Sequence, residues 1–138
     1  MHKKQHPRSA VARQTDGITL DHAAPVYDLL APVMTLGLER RFHRLVIRHL
    51  ALRGDERILD IGCGTGLGML ASLENGLQAS GLDPSPHMLE IAFRNVRNRA
   101  DLHRGQAEDL PFEDNAFAYA CLMNTLEFTE NPRKALEE

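Results

Sequence analysis

Arg57-Ile58-Leu59-Asp60-Ile61-Gly62-Cys63-Gly64-Thr65-Gly66 is the stretch whose reading decides the fold. Its first half, Arg57 to Ile61, follows the polar turn Arg53-Gly54-Asp55-Glu56. A short apolar run bounded by turn residues reads as a buried strand. Gly62, Gly64 and Gly66 then form a glycine-rich turn, and Leu67 to Glu74 reads as a short helix closed by Asn75-Gly76. Strand, glycine turn and helix together aim backbone N–H groups at a ligand, because the first amides of a helix have no partner within it. Glycine lets the chain approach that ligand closely and adopt conformations a side chain forbids.

Spacing and charge restrict the ligand. The dinucleotide fingerprint needs G-x-G-x-x-G. Here the pattern is G-x-G-x-G with Gly68 beyond, and the third required position falls on Leu67 or Met69. No Gly-Lys-Ser/Thr follows, so the Walker phosphate loop is also absent. Asp60 sits at the end of the strand, beside the loop. A carboxylate there repels a pyrophosphate and attracts a cation. Two unit charges ~4 Å apart at an effective dielectric of ~20 interact by about 4 kcal/mol before desolvation. The sign of the charge therefore favours S-adenosylmethionine, which carries an ammonium and a sulfonium. Asp83 ends the next strand, 23 residues after Asp60. At the carboxyl edge of a parallel sheet it faces the ligand crevice. There it can accept both ribose hydroxyls, each bond worth ~1.5–3 kcal/mol. The alternative for Asp83 is a turn residue before Pro84, or a partner for the dipole of the following helix.

Working outward, Leu77 to Leu82 reads as a second strand weakened by Gly81 and ending at Asp83. Ser85 is the expected N-cap and Pro86 the first residue of the next helix. Met88, Ala92 and Val96 recur every four residues and give that helix one apolar face. Asp101 to Arg104 is a third strand, 105–115 a loop, and Phe117 to Met123 a fourth strand. Asn131-Pro132 opens a last helix, in which the chain stops. Strands alternating with helices predict an α/β fold with a parallel sheet flanked by helices.

Three regions are expected: a flexible basic tail over 1–20, a helical cover over 21–52, and a partial ligand-binding domain over 53–138. The cover is broken by Pro25, Pro32 and Gly37. Within it Leu38, Phe42, Leu45, Val46 and Leu50 form one apolar stripe, expected to pack on the domain. The other face carries Arg40, Arg41, His43, Arg44, Arg48 and His49. The alternative for helix 38–50 is peripheral contact with an anionic membrane.

The chain has 138 residues, 43% hydrophobic and 25% charged, with net charge -3. That size suits one domain, and that charge argues against a dedicated nucleic-acid binder. Cys63 and Cys121 have no partner at metal-ligand spacing, so no metal site is expected and both read as reduced. The positive N-terminus is not followed by an apolar stretch, and no segment reaches the ~18 apolar residues of a span, so a cytoplasmic protein is expected.

Three ordered motifs resemble the class I methyltransferases, especially the ubiquinone/menaquinone-biosynthesis branch: Ile58 to Gly66, Gly81 to Leu89, and Gly105-Gln106-Ala107-Glu108-Asp109-Leu110-Pro111-Phe112. Tyr27-Asp28 and Met34 to Arg41 resemble the helical cover of that branch. The resemblance implies a Rossmann-like fold of which about four strands are present, and S-adenosylmethionine as cofactor. Asp60, Gly62, Cys63, Gly64, Thr65 and Gly66 would hold its methionine end, and Asp83 with Pro84 its ribose. Gln106 and the backbone of Ala107 and Glu108 would meet the adenine, with Met88 packed on its face or in the core. Asn124 would lie near the methionine end, and Tyr27 would close the pocket. Gln106 stands where many relatives have Asp, Ala118 where an Asp commonly follows Phe, and Phe128 where His is frequent. No residue pair reads as a general base. His43, His49, His87 and His103 are expected at the surface.

The resemblance also implies further strands after the fourth, whose open edge would invite self-association or a partner chain. A small-molecule or lipid-like methyl acceptor is expected. The alternative is a truncated, non-catalytic cofactor-binding module, or a half-domain that needs a partner.

Overall fold

In a computed structural model, residues 38–50, 52, 54–123 and 125–138 are described. The tail over 1–20, most of the cover, Tyr27 and Asn124 lie outside those residues. Among the described residues nine elements follow one another: α1 (Leu38–His49), β1 (Arg57–Ile61), α2 (Leu67–Glu74), β2 (Gln78–Asp83), α3 (Pro86–Val96), β3 (Asp101–Arg104), β4 (Tyr119–Cys121), a 3-10 turn (Leu126–Phe128) and α4 (Pro132–Glu137).

All four strands are parallel and lie in the order β3-β2-β1-β4. The chain order therefore reverses between β1 and β4, which opens a crevice at the carboxyl ends of the central strands. The expected α/β fold, a Rossmann-like parallel sheet with flanking helices, is the observed one. The fourth strand is shorter than the apolar run over 117–123. Phe117 turns out of the strand into an edge-to-face contact with Phe112, ring centroids 4.9 Å apart, under the Arg57 guanidinium.

Strand periodicity sorts β1 between two cores. Ile58 joins Ile47, Met69, Ala71, Leu77, Ala79 and Val96 on the face covered by α1, α2 and α3. Leu59 and Ile61 join Leu82, Ala107 and Ala135 on the other face. Asp60 alternates with Leu59 and Ile61, so it belongs to the helix-covered face. Gly81 in β2 reflects close packing. A Cβ there would come within 2.5 Å of Met69 Sδ and 2.8 Å of Cys63 Sγ. The α3 entry is as expected: Ser85 Oγ accepts from Met88 N–H, and Pro86 begins the helix.

Helix α1 corrects one expectation. Leu38, Phe42 and Leu45 do not pack on the domain; they are 54–56% exposed. The packed side carries His43 and Ile47, both buried. Arg40 and Arg44 on that side pair with Glu74 of α2. On that side the helix meets Glu74 through two arginines and sets His43 near the buried Asp60. His43, expected at the surface, is 8% exposed. Removing core atoms and removing ridge atoms should accordingly differ. Met69→Ala, at a fully enclosed site, should cost about 2–5 kcal/mol in urea unfolding. The triple change Leu38→Ser, Phe42→Ser and Leu45→Ser should cost under about 0.5 kcal/mol per site.

Candidate cofactor site

The glycine loop leaves β1 and turns into α2 through three left-handed glycines: φ is +73° at Gly62, +52° at Gly64 and +83° at Gly66. Each is a conformation side chains rarely adopt. The loop is tied down from both sides. Gly62 and Cys63 both donate their N–H to Leu82 O, at 2.7 and 3.0 Å. Thr125 Oγ1 donates to Ile61 O at 2.9 Å, and its side chain lies against Gly62, where a Cβ would come within 2.3 Å. Gly64 is different: a Cβ there would meet nothing within 4 Å. The loop thus has a filled side at Gly62 and an open side at Gly64.

Asp83 is the central anchor. Its Oδ2 accepts from Gly64 N–H at 2.9 Å and its Oδ1 from Ser85 N–H at 2.8 Å. One carboxylate therefore spans the glycine loop and the start of α3. Its burial, at 7% exposure, strengthens those charge-assisted bonds. A carboxylate oxygen has lone pairs for more than one donor, so both oxygens can serve the backbone and still accept a ligand hydroxyl.

Asp60 is buried at 8% exposure beside α1 and the first turn of α2. A Cβ on Gly68 would lie 2.7 Å from Asp60 Oδ2 and 2.9 Å from His43 Nε2, so both groups converge on the same point. The charge of Asp60 reaches both thiols. Burial, then Asp60, then Asp83 push the Cys63 thiol well above its ordinary value. Burial and then Asp60 push Cys121 up to about 11.

The other expected residues are distributed unevenly. Thr65 is enclosed, and its carbonyl accepts from Asn95 Nδ2 of α3 at 2.9 Å. Met88 is buried. Pro84 is exposed, and its carbonyl accepts from Arg104 Nε at 3.3 Å. Gln106 is exposed, and its carbonyl accepts from Asp109 N–H at 3.2 Å. Ala107 is buried beneath them. The Glu108 carboxylate turns away to accept from Glu130 N–H at 2.7 Å and Asn131 N–H at 3.2 Å. Two residues at the site were missed, His43 and Thr125. His43 read as one member of a basic face, and Thr125 carries no motif. The only available signal was Gly68, a glycine in the first turn of a helix, where nothing local requires one.

With this geometry in place, the chain matches the model of the methyltransferase domain family over residues 59–138. It belongs to that family, the S-adenosylmethionine-dependent methyltransferases of the α/β class. A demethylmenaquinone methyltransferase from Paenarthrobacter aurescens is 32% identical over 95% of this chain and 52% of its own length. A 2-phytyl-1,4-naphtoquinone methyltransferase from Synechococcus elongatus is 36% identical over 74% of this chain and 47% of its own. The chain spans about half the length of these curated relatives. A solved structure from Methanococcus maripaludis, assigned as an S-adenosyl-L-methionine-dependent methyltransferase, is 20% identical. It superposes with a TM-score of 0.76 over 99% of this chain and 60% of its own. That likeness is one of fold.

Two predictions follow from the loop and the thiols. Gly62→Ala places a methyl group on Thr125 at a left-handed φ and should cost roughly 1–3 kcal/mol in urea unfolding. Gly64→Ala, with open space, should cost only the backbone conformation, about 1–2 kcal/mol. Raised thiol values set the alkaline limit. Below the ordinary value near 9.0 both thiols are neutral whether the chain is folded or not. Above it the unfolded chain ionises first, so stability should fall as pH rises from about 9 to about 11. Replacing Cys121 with Ser should flatten part of that fall in urea titrations at each pH.

Proposed function

We propose that this chain forms the donor-binding half of an enzyme that methylates a lipid-soluble, quinol-like acceptor with S-adenosylmethionine. The observation that carries the reading is the Asp83 bridge between the open glycine at Gly64 and the start of α3. The quinone-methylating relatives support the acceptor class.

S-adenosylmethionine supplies a methyl group made electrophilic by its sulfonium. The residues here bind and orient it. The open side of the loop at Gly64 admits the methionine end, and Asp60 supplies the negative charge that selects a cation there. Asp83 takes the ribose hydroxyls while holding the loop amide at Gly64, and the backbone at Ala107 and Glu108 meets the adenine. Bound there, the donor would give its methyl group to an acceptor electron pair, and its sulfur would leave with the broken bond's pair as a neutral thioether. The acceptor then loses a proton to water. Among the described residues no side chain at this site is placed as a base, and alignment of donor and acceptor would supply rate.

Isothermal calorimetry of the full chain tests the donor site. Asp83→Ala should weaken S-adenosylmethionine binding roughly 10- to 100-fold; equal affinity would refute the ribose assignment. A radiolabelled methyl donor tests transfer to a demethylated quinol. Label in the quinol supports an enzyme, whereas donor binding without transfer would make the chain a cofactor-binding module.

The exposed ridge of α1 suits such an acceptor. Leu38, Phe42 and Leu45 are flanked by exposed Arg41 and Arg48. An apolar ridge edged by cations complements an anionic bilayer surface. No helix among the described residues is long and apolar enough to cross a membrane. Co-sedimentation with phosphatidylglycerol-containing vesicles should be lost roughly thirtyfold when Arg41 and Arg48 are both changed to Gln. Unchanged binding would remove this surface from the proposal.

A further inference from the structure

The segment 125–131, between β4 and α4, is fastened at its two ends to two different loops. At its start, Thr125 Oγ1 donates to Ile61 O at 2.9 Å, with Met123 O a second acceptor at 3.1 Å. The same side chain lies against Gly62, the first glycine of the loop. At its far end, one Glu108 oxygen accepts from Glu130 N–H at 2.7 Å and Asn131 N–H at 3.2 Å. Between these ends the segment is bonded to itself. Phe128 N–H donates to Thr125 O at 2.9 Å, Thr129 N–H to Leu126 O at 3.3 Å, and Thr129 Oγ1 to Leu126 O at 2.7 Å. Leu126 packs against the core cluster that contains Ile61, Leu82 and Ala107. Residues 125–131 are therefore an internally braced strap rather than a slack connection.

We propose that this strap couples the two ends of the donor site, with Thr125 and Glu108 as positioning residues. This rests on the donor-site reading above, in which the glycine loop meets the methionine end and the backbone at Ala107 and Glu108 meets the adenine. Both loops need outside support. Gly62 sits in a left-handed conformation at φ +73°, and the turn at 106–109 lies outside any strand or helix. A ligand that holds Gly62 and Glu108 in register fixes both fastenings of one braced element. Loss of either fastening frees the strap and disturbs the loop at its other end. Coupling between separate positions is carried by packed, hydrogen-bonded elements of this kind. Neither side chain has to touch the ligand. The Thr125 hydroxyl and the Glu108 carboxylate act through the backbone they hold.

Calorimetry with S-adenosylmethionine on the full chain reads the coupling as a double-mutant cycle. Thr125→Val keeps the shape and removes the hydroxyl, and Glu108→Ala removes the acceptor. Each should weaken binding roughly tenfold. Independent effects would multiply to roughly a hundredfold in the double variant. A single coupled strap should instead leave the double variant within about threefold of the weaker single one. Thr125→Ser and Glu108→Gln keep a donor and an acceptor, so each should bind within about threefold of wild type. Circular dichroism before each titration confirms folding, so lost stability is not read as lost affinity. Thr125→Ala takes the place of Val in the cycle if the Val variant does not fold. Amide hydrogen exchange of the unaltered chain, followed by NMR, gives a second reading. Donor binding should slow exchange at Phe128 and Thr129, in the middle of the strap. Multiplying losses, wild-type affinity in either Val or Ala single variant, or unchanged exchange at those two amides would overturn the coupling and leave the donor site standing. No binding by the wild-type chain would overturn the donor site and this inference together.

Discussion

Asp83 accepts from Gly64 N–H at 2.9 Å with one oxygen and from Ser85 N–H at 2.8 Å with the other. The rest of the site depends on that arrangement. A loop of three left-handed glycines has no intrinsic preference for one shape, and besides the Gly66 N–H bond to Cys63 O it is held by groups outside it. The carboxylate at the end of β2 fixes the loop amide, and the same carboxylate fixes the first turn of α3. Parallel register between β1 and β2 makes this geometry available, because it sets the end of β2 beside the loop that leaves β1. The crevice therefore forms at the point where the strand order reverses.

A second layer of constraint runs through the helix-covered face. Asp60, Gly68 and His43 come from a strand, a helix start and a separate helix, and they meet at one buried point. Apolar packing alone would have turned α1 over, because its most apolar stripe is the exposed one. Polar groups meet partners on the other side. Arg40 and Arg44 find Glu74, and His43 reaches the vicinity of Asp60. Both carboxylates at the site thus do structural work. Asp83 shapes the loop, while Asp60 lies buried where His43, on the inward face of the covering helix, converges with it on Gly68.

Most of the scaffold was legible before any coordinates. The glycine spacing, the Ser85-Pro86 helix entry, the strand at 101–104 and the helix at 67–74 all depend on interactions within a few residues. So does the end of β2 at Asp83. Turn chemistry and period-two or period-3.6 patterning report such local preferences directly. Gly81 shows the boundary of that method. It reads as a weakness in a strand, yet it is the surface on which Met69 and Cys63 rest.

What the sequence by itself determined was the parallel α/β scaffold, the glycine loop and the two acidic positions beside it. Their signals are carried by neighbouring residues along the chain. Only the tertiary structure decided where α1 points, that His43 is buried beside Asp60, that Thr125 closes on Gly62, and that Glu108 serves the entry to α4 with its side chain. Each of these joins residues more than a dozen positions apart. A helix with two serviceable faces carries no local sign of which will be buried. That choice belongs to the partners the folded sheet presents, and here the side with His43 and Ile47 is buried while a ridge of leucine and phenylalanine stays exposed.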